Sequence, residues 1–216
     1  VLHDLSFAVK VFAALFAIMN PIANIPVFLS LTDGASDAER RKVASTAALG
    51  VAIGCLVSAV AGGAILHMFG LAIDDFRIAG GLLVLLIALN MVHGTQSTQH
   101  TPTEQEQASI HLRASTADNV AVYPLTIPLL VGPGTIATLI VLGQVAVAKG
   151  QEVDFALGLV AFLVVLTVAL FAAPFIGHFL SPRVTAITQR LMGMILAAIA
   201  VQMMLAGLRT SFPVLG

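Results

Sequence analysis

The chain has 216 residues, of which 58% are hydrophobic and 10% charged, and its mean hydropathy is +1.01. Soluble domains carry about a quarter charged residues, so this composition excludes a water-soluble globular domain. With 10 basic and 11 acidic residues the net charge is −1, which lacks the basic excess that phosphate binding needs and excludes nucleic acid as the expected partner.

Six charge-free runs follow one another: 11–32, 43–73, 78–103, 119–148, 155–182 and 191–208. A helix that crosses the hydrocarbon layer takes about 20 residues, so the runs predict an all-α membrane protein with six transmembrane helices. Stretches such as "GLLVLLIALNM" do not alternate apolar and polar residues, which rules against a β-barrel. The first run is too long for a signal peptide and too rich in Pro and Asn, and is read as a mature helix.

The first run carries "NPIANIPVF", with Pro21 and Pro26 inside it. Before the second run, Ser36 followed three residues later by Glu39 predicts a capping box and a helix start. The third run opens on Arg77-Ile-Ala-Gly80 and turns polar at Gly94. The connector 94–118 that follows is polar; His93, His100, His111, Glu104 and Glu106 lie in or beside it at spacings that match no compact metal motif, so no metal site is expected. The fourth run carries "IPLLVGPGT", with Pro128 and Pro133. The sixth opens on Arg190-Leu-Met-Gly193 and reaches Gly207. Cys55 is alone, which excludes an intrachain disulfide.

The proline pairs recur at an offset of 107 and the Arg-x-x-Gly helices at 113. Three spans per half is an odd number, so the two halves enter the membrane in opposite senses. The predicted organisation is therefore an inverted repeat, with 1–93 as the first three-helix unit and 119–216 as the second. Such repeats build secondary transporters with sites at the repeat interface.

Proline supplies no amide proton and pushes away the carbonyl four residues earlier. The carbonyls so deprived belong to Ala17, Ile22, Pro124 and Leu129. The first and fourth helices are accordingly read as broken, each as two half-helices around a short unwound stretch. Asn20 and Asn24 are available as caps in the first, and Gly132 and Gly134 as tight-turn residues in the second. Half-helix amino ends attract anions and carboxyl ends attract cations. A carboxylate is expected on the amides of 24–27 or 132–135, with an ammonium on the carbonyls preceding the breaks. Asn90 and Gln202 are polar residues within apolar spans, suited to interhelical hydrogen bonds or to lining the cavity.

None of the acidic residues falls inside a span, so no intramembrane carboxylate relay is visible and a neutral substrate fits best. A coupling ion, H+ or Na+, is left open, and no cofactor is expected. No Ser, His and Asp set converges in the spans and "GPGT" lacks the Lys-Ser/Thr of a phosphate loop, so the chain is not expected to be an enzyme and has no catalytic residues. Lys10, Arg77, Lys149 and Arg209 fall on one face, and Arg40, Arg41, Lys42, Arg113, Arg183 and Arg190 on the other. The larger set marks the cytoplasmic side and puts the termini outside.

The stretches "LFAIMNPIANIPVFLSLT" (15–32), "FRIAGGLLVLLIALNM" (76–91), "YPLTIPLLVGPGTIATL" (123–139) and "RLMGMILAAIAVQMMLAG" (190–207) resemble the MarC family of membrane proteins, which includes SnatA-type transporters of small neutral amino acids. The resemblance implies a multi-pass protein of a bacterial or archaeal cytoplasmic membrane, with substrate contacts at Asn20, Pro21, Asn24 and Pro26, and at Pro128, Gly132, Pro133, Gly134 and Thr135. Ala23 departs from the Gly often found there. The expected function is alternating-access transport of a small zwitterion of the glycine and alanine class. The competing expectation is a MarC-type scaffold or interaction protein that transports nothing.

Overall fold

The apolar runs become helices whose ends are set by local chemistry. The computed structural model describes residues 5–94, 121, 125, 126 and 130–211, and the regular elements among them are helical. These are α1 (Leu5–Met19), α2 (Pro21–Leu31), α3 (Asp37–Met68), α4 (Ile73–His93), α5 (Pro133–Lys149), α6 (Glu152–Ile176), a 3-10 turn (Gly177–Phe179) and α7 (Pro182–Ser211). The expected capping box starts α3: the Ser36 hydroxyl accepts from the Glu39 amide at 3.3 Å, and the Glu39 carboxylate accepts from the Ser36 amide at 2.9 Å. Helix α4 stops where the run turns polar, at Gly94, whose φ of 70° only glycine adopts without strain.

Four helices, α3, α4, α6 and α7, are long and apolar enough to cross a membrane, and α1 with α2 makes a fifth as a pair bent by 40°. The sixth expected span is shorter than its apolar run: α5 has 17 residues because Gly132 and Pro133 start it afresh. Much of the preceding stretch, with Pro124, Pro128 and Leu129, lies outside the described residues, as does the connector from 95 to 118. Helices α3 and α7, of 32 and 30 residues, measure about 48 and 45 Å at 1.5 Å per residue, so each outruns a 30 Å hydrocarbon layer by tilt or by overhang.

Small residues let the helices meet at the backbone, which is the way helices associate where lipid removes the hydrophobic drive between them. The most extensive pairing is antiparallel, α4 on α7. A methyl added at Gly81 would lie 2.9 Å from the Ala200 carbonyl oxygen, and one at Gly193 would lie 3.0 Å from that of Ala88. Like that pairing, most of the other contacts run between the two halves of the sequence. Helix α3 lies on α5, with Gly54 against Val131 and Gly62 against Ile140, while α6 lies on α1 and α2, with Gly158 against Ala8 and Gly177 against Leu29. The halves are thus interlaced, and the second helix of each rests on the first segment of the other.

The buried centre is where α1 and α2 meet α6: Leu15, Met19, Ile25, Phe28, Phe162 and Leu166 are fully enclosed. The outward faces are equally apolar. Leu49, Ile53, Leu56 and Val60 of α3, and Val160, Val164 and Val168 of α6, are exposed. Such continuous apolar surface is the lipid-facing side of a membrane bundle rather than a surface for water.

Candidate functional site

The first break is a single residue. Asn20 stands between α1 and α2 with φ 35° and ψ 72°, the one non-glycine residue in the left-handed region among those described. Asparagine is the side chain that best tolerates this conformation. Its Oδ1 caps α2 by accepting from the Ala23 amide at 3.3 Å. Pro21 follows at the first helical position, where a missing amide proton costs nothing. The Asn24 side chain then reaches back, its Nδ2 donating to the Met19 carbonyl at 2.6 Å and to the Asn20 carbonyl at 3.3 Å.

This corrects the expected unwound stretch in one respect: α2 runs without interruption through Pro26. The Asn24 amide is also committed, donating to the Asn20 carbonyl at 3.2 Å, so it is not free for an anion. The physical reason is that one left-handed residue reorients the chain, after which Pro26 costs α2 no more than a single hydrogen bond, to Ile22. Ala17 and Pro21 are buried, and Ile22 and Pro26 are half-buried.

At the second break Gly132 caps α5 in an extended conformation, φ −92° and ψ 176°, and Pro133 takes the first helical position. The left-handed conformation occurs only at the other break, at Asn20, among the described residues of the two breaks. Gly134 is a point of close approach: an added methyl would lie 2.5 Å from Ile87 Cδ1 and 2.9 Å from Ile18 Cδ1. Upstream, the Val131 amide reaches back five residues to the Thr126 carbonyl at 2.8 Å, a wide turn rather than an α-helical one. The Thr135 hydroxyl donates to the Leu130 carbonyl at 3.1 Å, and the N-cap, Gly132, has no side chain with which to cap the first turn of α5.

The fold therefore sets the start of α5 against the end of α1. Ile18, which touches the Gly134 position, is two residues from the Asn20 break. Asn20 and Asn24 are each 4% exposed and Thr135 3%, so the breaks are enclosed. One group there has no partner among the described residues: Asn20 Nδ2. An unsatisfied buried donor costs about 1–3 kcal/mol.

A cavity of about 450 Å³ leads from one end of the bundle toward these breaks. Its walls include Lys10 and Ala14 of α1, Arg77 of α4, Thr138 and Lys149 of α5, and Gln202 of α7. Thr138 is one helical turn beyond Gly134. Gln202 lines this cavity, which is not the one expected at the breaks; Asn90 is not among its lining residues. Three of the four basic residues assigned to one face from the sequence, Lys10, Arg77 and Lys149, meet here. Thr126 and Thr138 were not singled out in the sequence, since single hydroxyls in apolar runs carry no periodic signal. The break residues do not line this cavity, and it stops short of them.

Residues 5–212 match the MarC family of integral membrane proteins. The chain is 36% identical to the membrane protein YvbG of Bacillus subtilis, over 97% of this chain and 98% of that one. It is also 36% identical to YhcE of Escherichia coli, over 94% and 93%, and 35% identical to MJ1677 of Methanocaldococcus jannaschii, over 95% and 98%. All three are described as UPF0056 membrane proteins, without an activity. No solved structure matches. Its apolar helices, lipid-facing exterior and near full-length similarity to bacterial and archaeal relatives make this chain a multi-pass integral membrane protein of the MarC family.

Proposed function

We propose that the protein is a secondary transporter of small neutral amino acids, of the glycine and alanine class, working by alternating access in the cytoplasmic membrane. The substrate is held where the two broken segments meet, at Asn20, Pro21, Asn24 and Pro26 on one side and at Pro128, Gly132, Pro133, Gly134 and Thr135 on the other. The observation that carries this reading is the placement of the uncapped start of α5 against the end of α1, beside the unpartnered amide of Asn20. The amino end of α5 and the Asn20 amide suit a carboxylate. The Ala17 carbonyl, deprived of a donor by Pro21, suits an ammonium. No chemical step is assigned to the protein.

The contacts of α4 with α7 support an inverted six-span repeat. An offset of 113 carries Arg77 onto Arg190, Gly80 onto Gly193 and Gly94 onto Gly207. Gly94 lies against Arg190 and Gly207 against Arg77; Gly80 lies near Met203 and Gly193 near Met91. Exchanging the two halves thus returns nearly the same pairs, which is the behaviour of a two-fold axis in the membrane plane.

The test is flux of labelled glycine and alanine into proteoliposomes under imposed H+ and Na+ gradients. Saturable uptake that is lost in Asn24→Leu and in Gly134→Val is the expected result. Absence of flux under every gradient, with these substitutions lowering only the melting temperature, would instead favour a scaffold.

A further inference from the structure

The cavity between α1, α4, α5 and α7 is chemically one-sided. Lys10, Arg77 and Lys149 enter it from three different helices, and no carboxylate is among its lining residues. The Arg77 charge is answered by Asp74, whose Oδ1 lies 2.6 Å from Nη1. Among the described residues no ion pair is formed by Lys10 or Lys149, and both line the one cavity. Two like charges at the mouth of a recess with apolar walls focus a field that draws anions inward.

The deep end adds a second observation. Thr138 is 1% exposed, lines the cavity, and its hydroxyl has no hydrogen-bond partner among the described residues. Threonine hydroxyls in a membrane helix ordinarily return to the carbonyl four residues back, as Thr167 does to Leu163 at 2.7 Å. Thr138 does not, although it sits in the same kind of helix. Its hydroxyl is a donor and an acceptor held in reserve at the bottom of a recess with cations at its top. At about 450 Å³ the cavity falls within the roughly 300–1,000 Å³ of small-molecule sites.

We propose that this cavity is a carboxylate-binding vestibule: Lys10 and Lys149 capture a small carboxylate-bearing molecule from the face they share, and Thr138 receives it one helical turn short of the breaks. As the path of a transported amino acid it rests on the transporter reading, but its anion chemistry is measurable without transport.

The vestibule is tested by thiol modification of the full-length purified protein. Cys55 is the single cysteine of the chain and is buried, so Cys55→Ala gives a background for one reporter, Val145→Cys or Ala206→Cys in the cavity wall. Modification by the anionic sulfonatoethyl methanethiosulfonate is compared with modification by the cationic trimethylammonioethyl reagent. The expected result is an anionic preference on the order of tenfold. It should fall to near unity in Lys10→Gln/Lys149→Gln, persist in Lys10→Arg/Lys149→Arg, and decline when acetate is added but not when methylammonium is. Each single Gln variant should give about half of the logarithmic effect, which keeps the test readable if the double variant does not fold. Equal rates for the two reagents, or a preference indifferent to the lysines, would overturn the proposal. A clear anionic preference in a protein that moves no amino acid would refute the transporter reading and leave the anion site standing.

Discussion

The Asn24 side chain donates a 2.6 Å hydrogen bond to the carbonyl of Met19, the last residue of α1. In an unbroken helix that carbonyl would receive the Ala23 amide, which is instead committed to the Asn20 side chain. A side chain thus repairs the break that another side chain makes, and both act where lipid and packed apolar groups leave no water to substitute.

Removing the repair should therefore cost stability. Asn24→Leu leaves the buried Met19 carbonyl without this donor, and the expected loss is about 1–3 kcal/mol, read as a lower melting temperature in detergent. Asn24→Gln, with an added methylene, should not restore the bond. A melting temperature equal to that of the unsubstituted chain would show that the carbonyl finds another partner.

At Asn20 the backbone and the cap can be separated. Asn20→Gly keeps the left-handed conformation at no steric cost, loses the cap, a few tenths of a kcal/mol, and removes the unpartnered Nδ2. Asn20→Ala loses the cap and adds left-handed strain of roughly 1–2 kcal/mol. Thermal unfolding should place Gly level with or above the unsubstituted protein and Ala below Gly; Ala above Gly would contradict the observed φ.

The α4 and α7 backbones approach at Gly193, where an added methyl would meet the Ala88 carbonyl at 3.0 Å. Gly143 meets only an ordinary contact, the Ala59 carbonyl at 3.5 Å. Gly193→Ala should destabilise by about 1–3 kcal/mol through overpacking, whereas Gly143→Ala should change stability far less. The comparison is made by thermal unfolding of the two variants under one condition.

Gly134 offers a test that separates function from folding. The atoms that an added methyl would meet are the ends of Ile87 and Ile18, which can shift, so Gly134→Ala should fold with a loss of about 1 kcal/mol or less. The added methyl then occupies the seam between the start of α5 and the α1 break. Glycine and alanine flux in proteoliposomes should then fall much more than stability does. Flux that tracks the melting temperature alone would remove Gly134 from the site.

Loss of the capping box at Ser36 gives a local control remote from the breaks. Ser36→Ala should cost about 1 kcal/mol, measured by thermal unfolding, with no effect on flux. A large loss of flux at full stability would place the start of α3 in the transport path.

Much of the architecture is written in local chemistry. Apolar runs, the Ser36 and Glu39 pair, and Pro21 and Pro133 mark helices and their starts, because capping and the missing proline amide act within a few residues and lipid forces each backbone to satisfy itself. The interruption of the first helix was legible for the same reason. Its form was not: whether one left-handed Asn20 or a longer unwound stretch turns the chain depends on the Asn24 bond to Met19 and on the packing that encloses both. The sequence determined which segments are apolar and where the prolines fall. Only the tertiary structure decided that α5 begins against Ile18, that the halves interlace, and that Lys10, Lys149 and an unpartnered Thr138 share one cavity. Those are meetings between segments far apart in the chain, set by how helices with small faces fit together, and no local pattern encodes them.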